Sequence, residues 1–503
     1  MRCSSVRRAR LGLAALVLAS VAAQPASAAS WTRLRSPNFL FVGDAPEGAI
    51  HRVARSLEQF RNVMALVLPG ASDSSAVPPV VIVFSSDRAF TPFKPRYKGR
   101  PIENVGGYMH LSDDVTYIAM NVERSRRAVF HEYTHFLIAN TIGVVPPWLN
   151  EGLAEFYQMY EDDGGRAAII RPSFSHLRLL QRGPLMPLSE LLAVEQDSPH
   201  YNEGDRRGIF YAQSWALVHY LAVGSASRSG QLSDYLDRVE RGTPLDEAFR
   251  GAFKTEPGVL EQELRNYLRN LPLRTLRLNF PEKLEAAPVA RGDAIAEPEA
   301  QGYLGDLLAR VTPDAGRAYL QTLVSANGQN ARASASLGLL DLREGRIDDA
   351  LARLERAVAI EPQNGAFQGA LGRALAEQLQ GKQKDLDMVV AILARARAVL
   401  TRAAELEPSS AHVLATLGYI EYVDGADLVR AAALLEHAIR LAPARDPYRL
   451  MLAEVLVQQK RYDRAVSVLR ALLARGDDEA IRAEAQALLG RMGTKDQAPS
   501  TKD

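Results

Sequence analysis

The chain has 503 residues, of which 47% are apolar, and its 60 lysines and arginines nearly balance 59 aspartates and glutamates. This length predicts two or three domains, and the apolar content is sufficient for buried cores. The formal net charge of +1 gives no global electrostatic reason to expect nucleic acid or an anionic membrane as a partner.

The first 28 residues have the pattern of a cleavable export signal. Basic residues precede the apolar stretch 11–23, and Ala-Ser-Ala at 26–28 has the small-x-small form that signal peptidase recognises. A membrane helix is the weaker alternative, because the apolar run is too short to span a bilayer. An arginine pair ahead of it points only weakly to twin-arginine export. We therefore expect a periplasmic or secreted protein.

The only cysteine, Cys3, lies inside this signal, so the mature chain would contain no thiol. Such a chain forms no disulfide and no thiolate metal site, and it has no cysteine nucleophile. Any bound metal must therefore be held by histidines and carboxylates.

The next segment, 29–280, predicts a single α+β domain with a small mixed sheet and a helical lobe. Its predicted elements are, in chain order, a strand over 37–42, a helix over 48–66, a strand over 77–84 and a strand pair that begins at 106 and ends with 115–120. From residue 125 to about 275 the periodicity is mostly helical.

The C-terminal part of the chain is repetitive. A segment rich in Ala, Pro and Glu, 281–301, is expected to be a linker. Beyond it, small and apolar residues recur at the spacing of a tetratricopeptide repeat, a helix pair of about 34 residues. The copies begin near Leu337, Leu371, Leu417 and Leu452, and a degenerate half-repeat precedes the first. We expect an all-α solenoid over 302–490 and a disordered polar tail over 491–503.

Residues 131–135 read His-Glu-Tyr-Thr-His. In a helix, positions i and i+4 share a face, so His131 and His135 would point the same way, as two ligands of one metal must. Glu132 lies beside that face and can accept a proton from an activated water. The alternative is a pair of core histidines beside an exposed glutamate, and the pentapeptide alone leaves it open.

A second helix is predicted after Gly143, starting at the proline pair 146–147. It carries Trp-Leu-Asn-Glu-Gly-Leu-Ala-Glu at 148–155, in which Glu151 and Glu155 again share a face. A catalytic zinc needs three protein ligands and an open position. A ligand histidine usually has a carboxylate on its distal N–H as well. The two glutamates supply one group for each role.

These two motifs resemble those of the gluzincin metallopeptidases, specifically the peptidase MA-like group, over about residues 31–280. The resemblance implies a single zinc ion held by His131, His135 and Glu151, with Glu155 supporting a ligand histidine. Fifteen residues separate His135 from Glu151, fewer than is common among relatives, and counting residues alone would choose Glu155 as the ligand. The local motif favours Glu151, because loop length varies more readily than the pattern around a ligand.

The implied reaction is metal-assisted hydrolysis, with Glu132 moving a proton from water to the leaving amine. Tyr211 is the candidate second stabiliser of the oxyanion, since a downstream tyrosine often plays this part in the clan. The alternative is an aromatic residue packed at the start of a helix. By position alone, the strand over 117–120 is the expected edge for an extended substrate.

Two functional hypotheses follow. The first is an exported zinc peptidase, more an endopeptidase than an aminopeptidase, whose repeats recruit a protein substrate or partner. The second is an exported interaction scaffold whose peptidase-like domain is inactive. The intact Glu132 argues against the second hypothesis. A hydrolase of non-peptide amides is a third idea that no residue favours.

Overall fold

The computed structural model describes residues 31–495, apart from gaps at 69–76, 98, 104, 124–125, 144, 196–197, 199–203, 286–287, 381–385 and 476–477. The predicted export signal therefore lies outside the described residues. None of the helices within the described part has the length and apolarity that a membrane span requires.

Most of the strands lie in the N-terminal half of the chain. In chain order they are β1 (Trp31–Arg35), β2 (Leu40–Gly43), β3 (Val80–Phe84), β4 (Arg96–Tyr97), β5 (Arg100–Pro101), β6 (Gly107–Leu111), β7 (Thr116–Asn121), β8 (Tyr160–Asp162), β9 (Ala167–Ile170), β10 (Leu276–Asn279) and β11 (Asp293–Ile295).

The helices of the N-terminal half surround these strands. They are α1 (Glu47–Val67), α2 (Asp87–Phe90), α3 (Arg127–Thr141), α4 (Pro147–Tyr157), α5 (Phe174–Leu180), α6 (Leu188–Leu192), α7 (Gly204–His219), α8 (Gln231–Glu240), α9 (Leu245–Phe253) and α10 (Pro257–Arg269). Short 3-10 turns at 91–93 and 226–228 and a π turn at 220–224 complete this half.

The remaining helices form the C-terminal half. They are α11 (Glu297–Val311), α12 (Pro313–Ala326), α13 (Ala331–Arg343), α14 (Ile347–Ile360), α15 (Gly365–Gln380), α16 (Leu386–Leu406), α17 (Ala411–Asp424), α18 (Leu428–Leu441), α19 (Asp446–Gln458), α20 (Tyr462–Arg475) and α21 (Glu479–Lys495).

The main sheet has the strand order β11-β1-β2-β3-β7-β6. Its centre is parallel, β2 with β3 and β3 with β7, and both ends are antiparallel. The central strand β3 is buried along its whole length, which matches its unbroken Val-Val-Ile-Val-Phe sequence. The α+β sheet expected from the sequence is confirmed, with strand ends shifted by a few residues.

The two faces of the sheet pack against different helices. On one face, Phe41, Val81 and Ile118 belong to a core that α1, α3 and the helical lobe complete. On the other face, Val42, Ile82 and Tyr117 pack against Tyr303, Leu304 and Leu307 of α11. The sheet therefore separates the helix of the His-Glu-Tyr-Thr-His motif from the start of the C-terminal half.

Part of the segment expected to be a linker, 281–301, is built into the sheet. Within it, β11 pairs antiparallel with β1, with Ile295 opposite Trp31, and α11 begins at Glu297. Strands pair through backbone groups, so β11 forms although its Ala-, Pro- and Glu-rich segment lacks the alternation of apolar residues from which a strand is predicted.

The stretch from 125 to 275 is also less uniformly helical than expected. Strands β8 and β9 form a hairpin, and β10 extends it to a three-stranded antiparallel sheet. The hairpin turns through Gly164 and Gly165, whose φ angles of 60° and 78° lie in the left-handed region that glycine adopts without strain. The helical periodicity on either side concealed these short strands.

The C-terminal solenoid is confirmed. Helices α13–α20 form four antiparallel pairs, and α11–α12 form a fifth pair ahead of them. Small residues set the spacing within a pair, since a Cβ on Gly338 would lie 2.8 Å from Leu354 Cγ. The last helix, α21, continues to Lys495, so the first residues of the predicted tail are helical, and the remainder lies outside the described residues.

Candidate metal centre

The His-Glu-Tyr-Thr-His motif lies in the middle of α3, which packs one apolar face into the core. The chain leaves this helix at Gly143, whose φ is +91° and whose N–H donates to Ile138 O at 3.0 Å. Helix α4 then begins with Pro147 in its first turn, where the missing N–H costs no hydrogen bond. This short connection sets α3 and α4 side by side.

Three side chains on these two helices point at one another. Nε2 of His131 and Nε2 of His135 are 3.1 Å apart, and Oε2 of Glu151 lies 3.5 Å from the first and 3.6 Å from the second. Ligand atoms about 2.0–2.1 Å from a tetrahedral zinc are about 3.3 Å from one another. Among the residues described, this trio is the only group of three whose ligand atoms converge closely enough to hold a metal.

The distal nitrogen of each histidine has an oxygen partner. Nδ1 of His135 lies 2.9 Å from Oδ1 of Asn150, and Nδ1 of His131 lies 3.5 Å from Oε1 of Glu155. An oxygen at Nδ1 favours the tautomer with the proton on Nδ1, which leaves the Nε2 lone pair available. Both lone pairs then face the same point as the Glu151 carboxylate.

Glu155 is itself held by groups further out. Its Oε2 atom lies 2.6 Å from Nε2 of His176 on α5 and also accepts a hydrogen bond from Gln158. The ring of His176 in turn lies 5.6 Å from that of Trp215 on α7. A chain of contacts therefore runs from His131 through Glu155 to the helical lobe and fixes the orientation of the histidine.

Burial and charge act in opposite directions at this centre. Burial lowers the pKa of His135, but the hydrogen bond and charge of Glu151 outweigh it and raise this pKa to about 9. Burial also acts to raise the pKa of Glu151, yet the two histidines hold it well below its usual range. Glu151 is only 2% exposed, so its negative charge is stable there only beside cationic or donor groups.

Glu132 lies next to this trio under the last strand of the sheet. Burial raises its pKa, and the two histidines oppose the shift. A backbone hydrogen bond from Met109 on β6 also acts on its carboxylate. The expectation that the strand over 117–120 is the substrate edge is wrong, because β7 is paired on both sides. The edge beside α3 is β6.

Tyr211 lies on α7, the helix that packs closely against α4. Its ring is half-buried at the border of the main core and lies 5.8 Å from that of Phe210. The close packing of the two helices depends on Gly152, since a Cβ there would lie 2.6 Å from Ser214 O. The structure thus places Tyr211 on a helix fixed to the glutamate helix, and its role at an oxyanion stays a prediction.

The other histidines have separate environments. His219 is fully buried, its Nδ1 lies 2.8 Å from the Tyr267 hydroxyl, and burial lowers its pKa to about 4. His110 lies on β6, where burial lowers its pKa and Arg310 adds to the shift. His200 lies outside the described residues. Neither His219 nor His110 belongs to the converging trio.

Three residues of the site have roles that the sequence did not assign. Asn150 and Gly152 are inside the second motif, where their neighbours Glu151 and Glu155 carried the chemistry. His176 has no partner at ligand spacing in the sequence, because its partner, Glu155, is on another helix. Asn150 is a polar residue directly before the expected ligand Glu151, and that position could have indicated its role. No neighbouring residue in the sequence indicates the role of His176.

The fold is an α+β domain with a mixed sheet, followed by a helical repeat array. A family model described as Peptidase MA superfamily matches residues 101–270, and a tetratricopeptide repeat model matches residues 422–492. The chain therefore contains a Peptidase MA superfamily domain and C-terminal tetratricopeptide repeats. A search of the curated proteins found no match.

Solved structures similar to this chain include a tetratricopeptide repeat protein. A thermophilic repeat protein of Thermus thermophilus is 23% identical, with a TM-score of 0.33, over 38% of this chain and 97% of that one. PilF of Pseudomonas aeruginosa is 20% identical, with a TM-score of 0.32, over 40% of this chain and 86% of that one.

Proposed function

We propose that the N-terminal domain is a zinc-dependent peptidase of an exported protein. The observation that supports this most strongly is the convergence of the two Nε2 atoms of His131 and His135 and of Oε2 of Glu151. Two imidazoles and one carboxylate are the donor set of many catalytic zinc sites, which leave a fourth position open. Without a cation or proton between them, two lone pairs 3.1 Å apart would repel each other.

A zinc ion at this centre would activate a water molecule and polarise the scissile carbonyl. Glu132, adjacent to His131, is the general base: its carboxylate takes a proton from the attacking water and delivers it to the leaving amine. The raised pKa of this buried carboxyl brings it closer to neutral pH, where accepting and releasing a proton are both effective. Tyr211 is our candidate for a second group at the oxyanion.

The substrate would lie along β6. This strand ends the main sheet, and no strand of the described residues pairs with its outer side, to which an extended substrate could be added. A peptide paired there would run past Glu132, which is linked to Met109 of the same strand. Binding to an edge needs no free amino terminus, and this favours cleavage within a chain over removal of single terminal residues.

The repeats support a role in protein–protein interaction, because stacked helix pairs form extended binding surfaces. Under our proposal they bring a protein substrate or partner to the peptidase domain. The competing function, an interaction scaffold with an inactive peptidase domain, shares this surface and differs only in the chemistry at Glu132.

The test is zinc analysis of the mature chain together with a broad screen for peptide hydrolysis. We expect one zinc ion per chain and cleavage that a chelator abolishes and added zinc restores. Glu151→Ala should lose the zinc, whereas Glu161→Ala, at an exposed glutamate paired with Arg171, should keep it. Absence of zinc from the wild type would refute the proposal. Zinc without hydrolysis of any peptide would favour the scaffold.

A further inference from the structure

The acidic loop that joins β6 to β7, residues 112–115, lies against the repeat array. Asp114 accepts two hydrogen bonds from Arg310 of α11, at 2.8 and 2.7 Å. Oδ1 of Asp113 lies 2.9 Å from Nη1 of Arg445 at the start of α19. The loop therefore contacts both the first helix pair of the array and its last full pair.

The residues that surround this loop follow a regular pattern. Each helix pair of the solenoid has a first and a second helix, and cationic or titratable side chains near the loop lie on the first helices α11, α13, α15 and α17 and directly before α19. We call this set the first-helix face; it consists of Arg310, Arg343, Arg373, His412 and Arg445. A face repeated once per unit is the surface on which repeat proteins bind extended segments.

The charges on the loop and on the first-helix face are complementary. Burial acts to raise the pKa of Asp114, but Arg310 and then His412 hold it well below its usual range. Burial lowers the pKa of His412, with Arg373 adding to the shift and Asp114 opposing it. The loop thus occupies the first-helix face as an acidic ligand would.

Space and a further cation remain beside the loop. A cleft of about 1220 Å³ runs from Asp114 along the first repeats, past Arg332 and Phe367. The Arg332 guanidinium stacks on the Tyr303 ring at 3.9 Å; Asp306 and Glu361 act on it electrostatically, but no carboxylate of the described residues forms an ion pair with it. An acidic segment that enters the cleft would therefore contact a cationic group while the loop is still bound.

The loop is also connected to the candidate metal centre. It directly continues β6, which provides the backbone hydrogen bond of Met109 to Glu132. Strand β6 packs closely against α3, since a Cβ at Gly107 would be 3.4 Å from Val129 Cγ2. Three residues separate Met109 from Asp113, so displacement of the loop would disturb the strand beside the general base.

We propose that the first-helix face is a binding site for acidic, extended protein segments, and that the chain's own loop, residues 112–115, occupies it until such a segment displaces it. Partner binding then releases the end of β6, the strand on which we place the substrate. The binding step is independent of zinc. Only its consequence for catalysis rests on the proposed function.

The test uses full-length Glu132→Gln protein and a synthetic peptide with the sequence of residues 108–118. We expect the peptide to bind, and a version with asparagine in place of both aspartates to bind about tenfold more weakly, since the arginine contacts are charge-assisted. Saturating peptide should increase amide hydrogen exchange at residues 107–111. In the absence of peptide, Arg445→Gln should increase the same exchange about two- to fivefold, the range expected for an exposed ion pair.

The matched control is Arg395→Gln. Arg395 pairs with Glu355 between two second helices, with an exposure similar to that of the Arg445–Asp113 pair. It should change neither peptide binding nor exchange at 107–111. Equal binding of the two peptides, or unchanged exchange at 107–111 in Arg445→Gln, would overturn the inference. Because binding and exchange are measured without turnover, either result leaves the proposed peptidase activity to be judged separately.

Discussion

The carboxylate of Glu155 faces Nδ1 of His131 at 3.5 Å. Glu151, one turn earlier on the same helix, faces Nε2 of the same ring, also at 3.5 Å. Two glutamates of one helix thus approach opposite nitrogens of one imidazole. The geometry supports different roles for them, Glu151 as a metal ligand and Glu155 as the group that orients the ligand histidine.

Substituting these two glutamates should therefore have unequal effects on zinc binding. Glu151→Ala removes one of three ligands and should leave no stoichiometric zinc. Glu155→Gln keeps the shape but removes the charge near Nδ1, and it should weaken zinc binding about 10- to 100-fold. Competition with a chelator measures both affinities. If Glu151→Ala kept stoichiometric zinc and Glu155→Gln lost it, Glu155 would be the metal ligand and Glu151 the group that orients the histidine.

Asn150 should contribute through the other histidine. Its Oδ1 atom lies 2.9 Å from Nδ1 of His135, so Asn150→Ala removes the group that orients this ring. We expect zinc affinity to fall about tenfold, the lower end of such effects. Asn140→Ala is the control, because its amide donates to Phe136 O on the same helix away from the trio. Equal affinities of the two variants would contradict this role.

Zinc binding should weaken as the pH falls. The charge of Glu151 raises the pKa of His135 to about 9 in the metal-free protein, so at pH 7 this ring carries a proton that zinc must displace. Between pH 8 and pH 6 the apparent affinity should decrease about tenfold per pH unit. Calorimetry in buffers of different ionisation enthalpy should detect about one proton released per zinc bound at pH 7. An affinity that is constant over this range would contradict the expected protonation.

The contact between α4 and α7 should tolerate no side chain at Gly152. A Cβ there would lie 2.6 Å from Ser214 O and 2.7 Å from Val218 Cγ2. Gly152→Ala should therefore lower the free energy of unfolding by about 1–3 kcal/mol, the usual cost of overpacking. Thermal unfolding followed by circular dichroism measures the loss. Gly258→Ala is the matched control, since no atom lies within 4 Å of the added Cβ, and its stability should not decrease.

The local part of the candidate centre could be predicted from the sequence. Helix geometry places His131 and His135 on one face, and the same rule places Glu151 and Glu155 together. Gly143 and the prolines after it marked the turn between the two helices. These inferences succeed because they depend on neighbours within a few residues, and the repeat array was predictable for the same reason.

The contacts between residues that are distant in the sequence could not be predicted. The contact of His176 with Glu155 joins two helices separated by a hairpin, and β11 pairs with a strand more than 250 residues earlier in the chain. Strand order was equally hidden: β7 follows β6 in the sequence, yet β6 is at the edge because β7 pairs with β3. The contact of Asp113 with Arg445 likewise requires the folded array. Each of these depends on tertiary packing rather than on a local pattern.

The central claim is that zinc and Glu132 act together in peptide hydrolysis. Its most direct test compares wild type with Glu132→Gln for zinc content and for turnover of the peptides found in the screen. We predict one zinc ion in each protein and a decrease in turnover of about 10²- to 10⁴-fold in the variant, the usual contribution of a general base. Equal turnover by the two zinc-loaded proteins would contradict the account.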